Sequence, residues 1–216
     1  MTTRVKMCGN RTVAEAKTVI ECGTDAIGIL VGPHTESQKH FVSESTAREI
    51  LQSLPPFVTG VIVTTYNTVN EIQALIETTG ATVVQCHSDI FPEHIAQLRA
   101  QFPAVRFIAV VHVTDETSIE VAAHASQYVH ALLLDTAHKG VTGGTGITHD
   151  WSISAAIVQK VSVPVILAGG LNPENVQEAI KHVRPYAVDV RSGVSDSTGE
   201  KNTEKMHAFI RNAHTL

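Results

Sequence analysis

The sequence predicts a single (β/α)8 barrel, the TIM-barrel architecture, as one domain over residues 1–216, and three observations carry that expectation. Short runs rich in Val, Ile and Leu alternate with longer segments whose apolar residues recur at helical spacing, the pattern of a parallel sheet with crossover helices. The alternation occurs eight times, more often than an open doubly wound sheet usually requires. The whole set fits into 216 residues with short turns and no low-complexity or linker-like stretch, a length typical of a closed barrel.

The elements follow in order. The first strand, 5–8, reads VKMC and precedes a helix over 12–22. The second, 26–31, reads AIGILV and precedes a helix over 43–54, where the Ser43 hydroxyl can accept from the unpaired N–H groups of the first turn. The third strand, 58–63, is followed by a helix over 67–79, the fourth, 83–86, by one over 92–102, and the fifth, 107–113, by one over 116–127. The sixth, 131–135, reads ALLLD and meets its helix, 150–161, only after a glycine-rich interval, with Asp150 as the cap. The seventh, 165–168, runs through Gly169-Gly170 to Asn172-Pro173, a cap before a proline at the first helical position, and so to a helix over 173–182. The eighth, 187–190, precedes the last helix, 202–214.

Bulk properties narrow the function. The chain is 43% hydrophobic with a formal charge of −5, spread without long runs of one sign, so neither a nucleic-acid nor a membrane surface is indicated and a small-molecule partner is expected. No apolar run approaches the roughly 20 residues of a membrane span, and the N-terminal residues lead straight into the first strand, the pattern of an unexported, cytoplasmic protein. Cys8, Cys22 and Cys86 are an odd count without framework spacing and read as reduced thiols. Most of the twelve histidines, His182, His207 and His214 among them, read as solvated. Cys22 is expected in the core, Trp151 against the start of the sixth helix, and Phe41 over its own loop. The oligomeric state is left open.

In such barrels the reacting groups sit where strands end and βα loops begin. Those places hold Cys8; Gln85, Cys86 and His87; His112; Asp135; and Asp189, Arg191 and Ser192. Asp135 ends an apolar strand over a dozen residues before the next helix, too far to cap it, so its carboxylate is assigned to the mouth of the barrel. Gly169-Gly170 after strand seven and Ser192-Gly193 after strand eight let the backbone approach an anion closely, at the two strands whose loops often hold a phosphate. A phosphorylated substrate is therefore expected. Gly140, Gly143, Gly144 and Gly146 make the stretch over 136–148 a candidate lid, beside the plainer reading of a long surface loop. His87, His112 and Asp135, with Cys86, offer a rival reading as ligands of a metal-dependent epimerase or aldolase, although no paired His spacing supports it. A phosphosugar-binding protein without catalysis is a third.

Several stretches resemble one family in order along nearly the whole chain. VKMCGN is similar to the opening of phosphoribosylanthranilate isomerases, and VVQCH, LLLDT, GGTGITHDW, AGGLNPENV and VDVRSGV match it in turn. The resemblance implies an isomerase of tryptophan biosynthesis that performs an Amadori rearrangement of N-(5-phosphoribosyl)anthranilate without a cofactor or metal. It implies that Asp135 is the general acid at the sugar ring oxygen and Cys8 the general base at C2. It further implies that Gly169, Gly170, Ser192 and Gly193 hold the phosphate, that Gln85 and His87 meet the substrate, and that Asp189 orders the site. Such a pair needs one group protonated and the other ionised; a carboxyl between apolar walls and a thiol near positive charge would meet that demand.

The sequence departs from the family at the place that binds the anthranilate carboxylate. Where the family usually reads like SPRYVS, this chain reads SQKHFVS, with Lys39 and His40 in place of the arginine clamp. At strand eight the usual VDVSSGVE has become VDVRSGVSD, so Arg191 stands where a small residue is usual. Either Arg191 supplies the lost cation from another strand, or Lys39 or a charged His40 makes a weaker clamp, or the acid–base pair serves a different phosphorylated amino sugar.

Overall fold

The computed structural model describes residues 2–33, 39–87, 90, 92–136 and 149–215. Its strands are β1 Arg4–Met7, β2 Ala26–Val31, β3 Thr59–Thr64, β4 Val83–Cys86, β5 Arg106–Val113, β6 Ala131–Thr136, β7 Val165–Leu167 and β8 Ala187–Val190. They pair in sequence order, all parallel, and β8 returns to β1 to close the barrel, with Arg4 opposite Ala187 and Met7 opposite Val190. The helices are α1 Val13–Glu21, α2 Glu44–Gln52, α3 Val69–Thr79, α4 Pro92–Gln101, α5 Thr117–Ala125, α6 Trp151–Lys160, α7 Val176–Val183 and α8 Thr203–His214. None is long and apolar enough to cross a membrane among the described residues.

Strand alternation sorts the apolar residues into two cores. Val5 and Met7 of β1, Ile27 and Ile29 of β2, and Leu132 and Leu134 of β6 face outward and pack with Ala16, Val19, Ile50, Leu75 and Phe209 of the helices. The opposite faces give Cys8, Leu30, Val61, Val63, Ile108, Leu133, Ile166, Ala168 and Ala187, which fill the barrel. The polar residues that continue this inward set are therefore delivered to the barrel mouth.

Local chemistry sets the helix starts. Ser43 Oγ accepts from Thr46 N at 3.1 Å and Asp150 Oδ1 from Ser152 N at 2.9 Å, as the sequence predicts. The seventh helix differs from expectation: Asn172 Oδ1 accepts from the N–H groups of Glu174 and Asn175, so Asn172-Pro173 opens a turn and the α-helix begins only at Val176. The proline fixes φ for the turn.

Candidate active site

The β1 edge of the mouth carries two polar residues on the inner face, Lys6 and, just past the strand end, Cys8. Lys6 is 3% exposed and lies opposite Asp189 in the β1–β8 register, with Nζ donating to Asp189 Oδ1 at 2.9 Å. Cys8 is anchored by its own N–H, which donates to Val190 O at 2.9 Å. Gly28, on the neighbouring β2, makes room for both: a Cβ there would lie 2.7 Å from Cys8 Sγ and 3.2 Å from Lys6 Nζ. The Asn10 amide locks the turn that follows, donating to Met7 O at 2.9 Å and Gly28 O at 3.0 Å.

The charge environment of Cys8 differs from the sequence expectation. Burial pushes the thiol up; the positive charges of Lys6, Arg191 and Lys201 pull it down and Asp189 opposes them, with burial the winner. The cations needed for a thiolate are present, yet they do not outweigh the loss of hydration. Lys6 stays charged despite its own burial, because Asp189 and the Cys8 sulfur favour the ammonium.

Asp135 stands on the other side of the barrel near the end of β6, two residues on from the interior Leu133, with Oδ1 accepting from Thr136 N at 2.8 Å. Its register partner on β5 is His112, whose ring meets that of His87 edge-on at 5.6 Å between centroids. Burial holds His87 below the usual histidine range, with Asp135 pulling it up and His112 and Lys6 pushing it down, so the ring is neutral at pH 7 and can share a hydrogen bond with a sugar hydroxyl. Gln85, one alternation below His87, is buried, with Nε2 3.5 Å from His87 Nδ1 and Oε1 without a hydrogen-bond partner among the described residues.

The glycine turns after β7 and β8 meet each other. A Cβ on Gly193 would strike Leu171 O at 1.9 Å, so the 3₁₀ turn Ser192–Val194 rests directly on the backbone that follows Gly170. Gly169 has φ +83° and Gly170 φ +67°, and a Cβ on Gly169 would strike Thr136 Oγ1 at 2.1 Å. Both turns therefore need glycine at these points, which leaves backbone N–H groups uncovered by side chains of their own, as close approach to an anion requires.

The departures from the family pattern also find places. Lys39 is exposed and His40 half-buried. Burial pushes the His40 ring down, and the charges of Arg191, Arg11 and Lys201 push it further, so position 40 presents a neutral imidazole. The Arg191 stem lies over Gly9, with Cδ 3.2 Å from where a Cβ would sit, and its charge acts on both His40 and Cys8. Arg191, just past β8, is the cation that acts most strongly at position 40. Phe41 lies over Gly32 of its own loop, as expected, and packs against the barrel interior as well. Cys22 and Trp151 pack with the outer core as expected. The candidate lid lies outside the described residues except Thr136.

Two residues escaped sequence reading. Lys6 was hidden in a short polar lead-in, although its i, i+2 spacing to Cys8 puts both on one face of a strand. Lys201, which donates to Gly9 O at 2.6 Å and Glu15 Oε1 at 2.7 Å, joins the loop after β8 to the turn carrying Cys8. As for the rival metal reading, no three His, Cys, Asp or Glu groups among the described residues converge closely enough to hold an ion.

Comparison with known proteins adds a family to this geometry. The family model described as N-(5'phosphoribosyl)anthranilate (PRA) isomerase matches residues 5–212. N-(5'-phosphoribosyl)anthranilate isomerase 2 of Methanosarcina mazei is 42% identical over 212 residues, covering 97% of this chain and 93% of that protein. The Methanocella arvoryzae isomerase is 42% identical over 208 residues, 96% of each. Among solved structures, phosphoribosyl anthranilate isomerase from Thermotoga maritima superposes with a TM-score of 0.87 at 34% identity, covering 99% of this chain and all of that one. A phosphoribosyl anthranilate isomerase in complex with reduced 1-(o-carboxyphenylamino)-1-deoxyribulose 5-phosphate gives 0.84 at 33% identity over the same shares.

Proposed function

The chain belongs to the N-(5'-phosphoribosyl)anthranilate isomerase family and is an aldose–ketose isomerase of tryptophan biosynthesis, and from that premise we propose that Cys8 and Asp135 carry its Amadori rearrangement. The observation that supports this pair is their placement: a thiol at the end of β1 and a carboxyl at the end of β6 face one barrel mouth, whose β7 and β8 rim is built from backbone turns. Asp135 donates a proton to the ribose ring oxygen as the C1–O bond breaks and the nitrogen lone pair forms a protonated imine with C1. Cys8, as thiolate, then takes the C2 proton; the C–H electrons become the C1=C2 bond and the C=N pair returns to nitrogen, giving a neutral enolamine. Return of that proton to C1, as the 2-hydroxyl gives its own to the Asp135 carboxylate, yields the 2-ketone and restores both groups. The sequence adds no atom and removes none.

Gly169, Gly170, Ser192 and Gly193 hold the 5-phosphate through backbone N–H groups. Gln85 and the neutral His87 contact the sugar hydroxyls, and Asp189 acts through Lys6. Arg191 binds the anthranilate carboxylate in place of the family's arginine, since its guanidinium is the cation that acts most strongly at position 40 and is felt at Cys8 as well. The protein works in the cytoplasm, with a phosphorylated small molecule as its partner and no nucleic acid or membrane.

The test is turnover of N-(5-phosphoribosyl)anthranilate, followed by anthranilate fluorescence, for the wild type and for Cys8→Ala, Asp135→Asn and Arg191→Ser. The first two variants abolish turnover without unfolding. Arg191→Ser raises KM by about 10- to 100-fold, the worth of a charge-assisted pair. Wild-type kcat in either of the first two removes that residue from the chemistry, and an unchanged KM in the third returns the clamp to Lys39 or His40.

A further inference from the structure

We propose that Lys6 is a positioning residue for Cys8: fixed on Asp189 and confined by the Gly28 backbone, its ammonium is the counter-charge that lets the sulfur exist as an anion inside the barrel. This rests on the reading of Cys8 as the base. Three independent features place the ammonium there. Lys6 and Cys8 share the inner face of one strand, so the charge lies one alternation below the sulfur. Register closure puts Asp189 opposite Lys6, and the 2.9 Å ion pair fixes the long side chain that would otherwise reach for solvent. Gly28 leaves a space that the sulfur and the ammonium both border, a Cβ there lying 2.7 Å from the one and 3.2 Å from the other.

The other charged and titratable groups facing the sulfur act from other directions. Arg191 follows β8, Lys201 precedes α8 on the outer side of the Gly9 turn, and Asp189 lies on β8. His87, across the barrel on β4, is neutral. Lys6 is the cation that counts most against the burial of Cys8. A buried ion pair is weak evidence of a gain in stability, because desolvation of two ions offsets their attraction. A buried lysine that spends its charge on a thiol therefore points to the site's chemistry.

The experiment titrates Cys8 directly, by the 13Cβ chemical shift of labelled cysteine against pH, in the wild type, Lys6→Met, Lys6→Arg and Lys6→Met with Asp189→Asn. The double variant leaves no orphaned carboxylate and keeps the test intact should Lys6→Met fail to fold. Burial pushes Cys86 up to about 12 and raises Cys8 as well, so Cys86→Ala and Cys22→Ser are built into every variant to leave Cys8 as the one cysteine signal. We expect the thiol–thiolate transition to rise by about one unit or more in Lys6→Met, a tenfold loss of thiolate at any pH below it, to rise by less in the double variant, where the opposing charge of Asp189 is lost too, and Lys6→Arg to restore most of the shift. The acid limb of kcat/KM moves by the same amount. An unmoved Cys8 titration in a folded variant that has lost activity overturns the proposal and makes Lys6 a structural residue. A titration that moves while the kcat/KM limb does not sustains the coupling and instead removes Cys8 from the role of base.

Discussion

Gly28→Ala tests the site with one methyl group. Gly28 has no left-handed backbone to defend, so the substitution acts through space alone. The new carbon would sit 2.7 Å from Cys8 Sγ, 3.2 Å from Cys8 Cα and 3.2 Å from Lys6 Nζ. Carbon contacts settle near 3.5–4.0 Å. The ammonium is the far end of a flexible chain and gives way, while Cys8 Cα follows a strand paired with β2 through Lys6–Ala26 and Met7–Ile27 and does not. The sulfur must therefore rotate or move by about 1 Å, and a displacement of that size at a reacting group costs on the order of 10²-fold in rate. Overpacking adds about 1–3 kcal/mol of destabilisation, which lowers the melting temperature of a chain this size by several degrees. The assay is kcat/KM on N-(5-phosphoribosyl)anthranilate beside a circular-dichroism melt. An unchanged kcat/KM in folded Gly28→Ala would refute the placement of the sulfur and with it the reading of Cys8 as base.

Further expectations cover the rest of the barrel. Gly193→Ala drives its methyl into Leu171 O and parts the two glycine turns, so KM rises about 10- to 100-fold and inhibition by inorganic phosphate weakens alike; competitive inhibition measures both. Thr68→Ala removes the capping box of α3, in which Thr68 and Glu71 satisfy each other's N–H groups, and costs about 1 kcal/mol by urea denaturation with kcat unchanged. Burial raises the Glu15 carboxyl, but Lys201 and Arg11 more than reverse this and hold it below the usual carboxylate range. A depressed folded-state pKa gives stability that is present above the ordinary glutamate value and lost as pH falls through the folded one. Glu15→Gln therefore lowers stability at neutral pH and flattens its fall on acidification, which melts across that range would show.

How much of this was legible in the sequence depended on how local each cause is. Strands and helices follow from alternation and caps within a few residues, so all eight pairs stand close to their predicted places. The N-terminus of α7 moved because a side-chain cap and a proline describe a turn as well as a helix, and only the bonds from Glu174 and Asn175 distinguish the two. The places of Cys8, Asp135 and the glycine turns at the barrel mouth were readable because each stands at or just past a strand end. Lys6 was not, because its partner is 183 positions away and becomes a neighbour only when β8 closes on β1. The balance of burial against charge at Cys8 is likewise a property of the assembled mouth.

The same closure yields a final expectation that separates stability from chemistry. Lys6 and Asp189 have side chains 4% and 11% exposed, so both ions are largely stripped of water. Removing one partner leaves a buried charge and costs about 3–5 kcal/mol, whereas replacing both by apolar groups of similar volume is commonly neutral or stabilising by about 1–4 kcal/mol. The barrel interior is otherwise apolar, filled by residues such as Ile166, Ala187 and Leu133. Lys6→Met with Asp189→Leu should therefore melt at or above the wild-type temperature while losing turnover, and Lys6→Met alone should melt well below it. A double variant destabilised as severely as the single one would mean that the pair holds the barrel closed in its own right. If the prediction holds, the fold does not need this ion pair, and the charge is kept at the barrel's centre because the thiol beside it does.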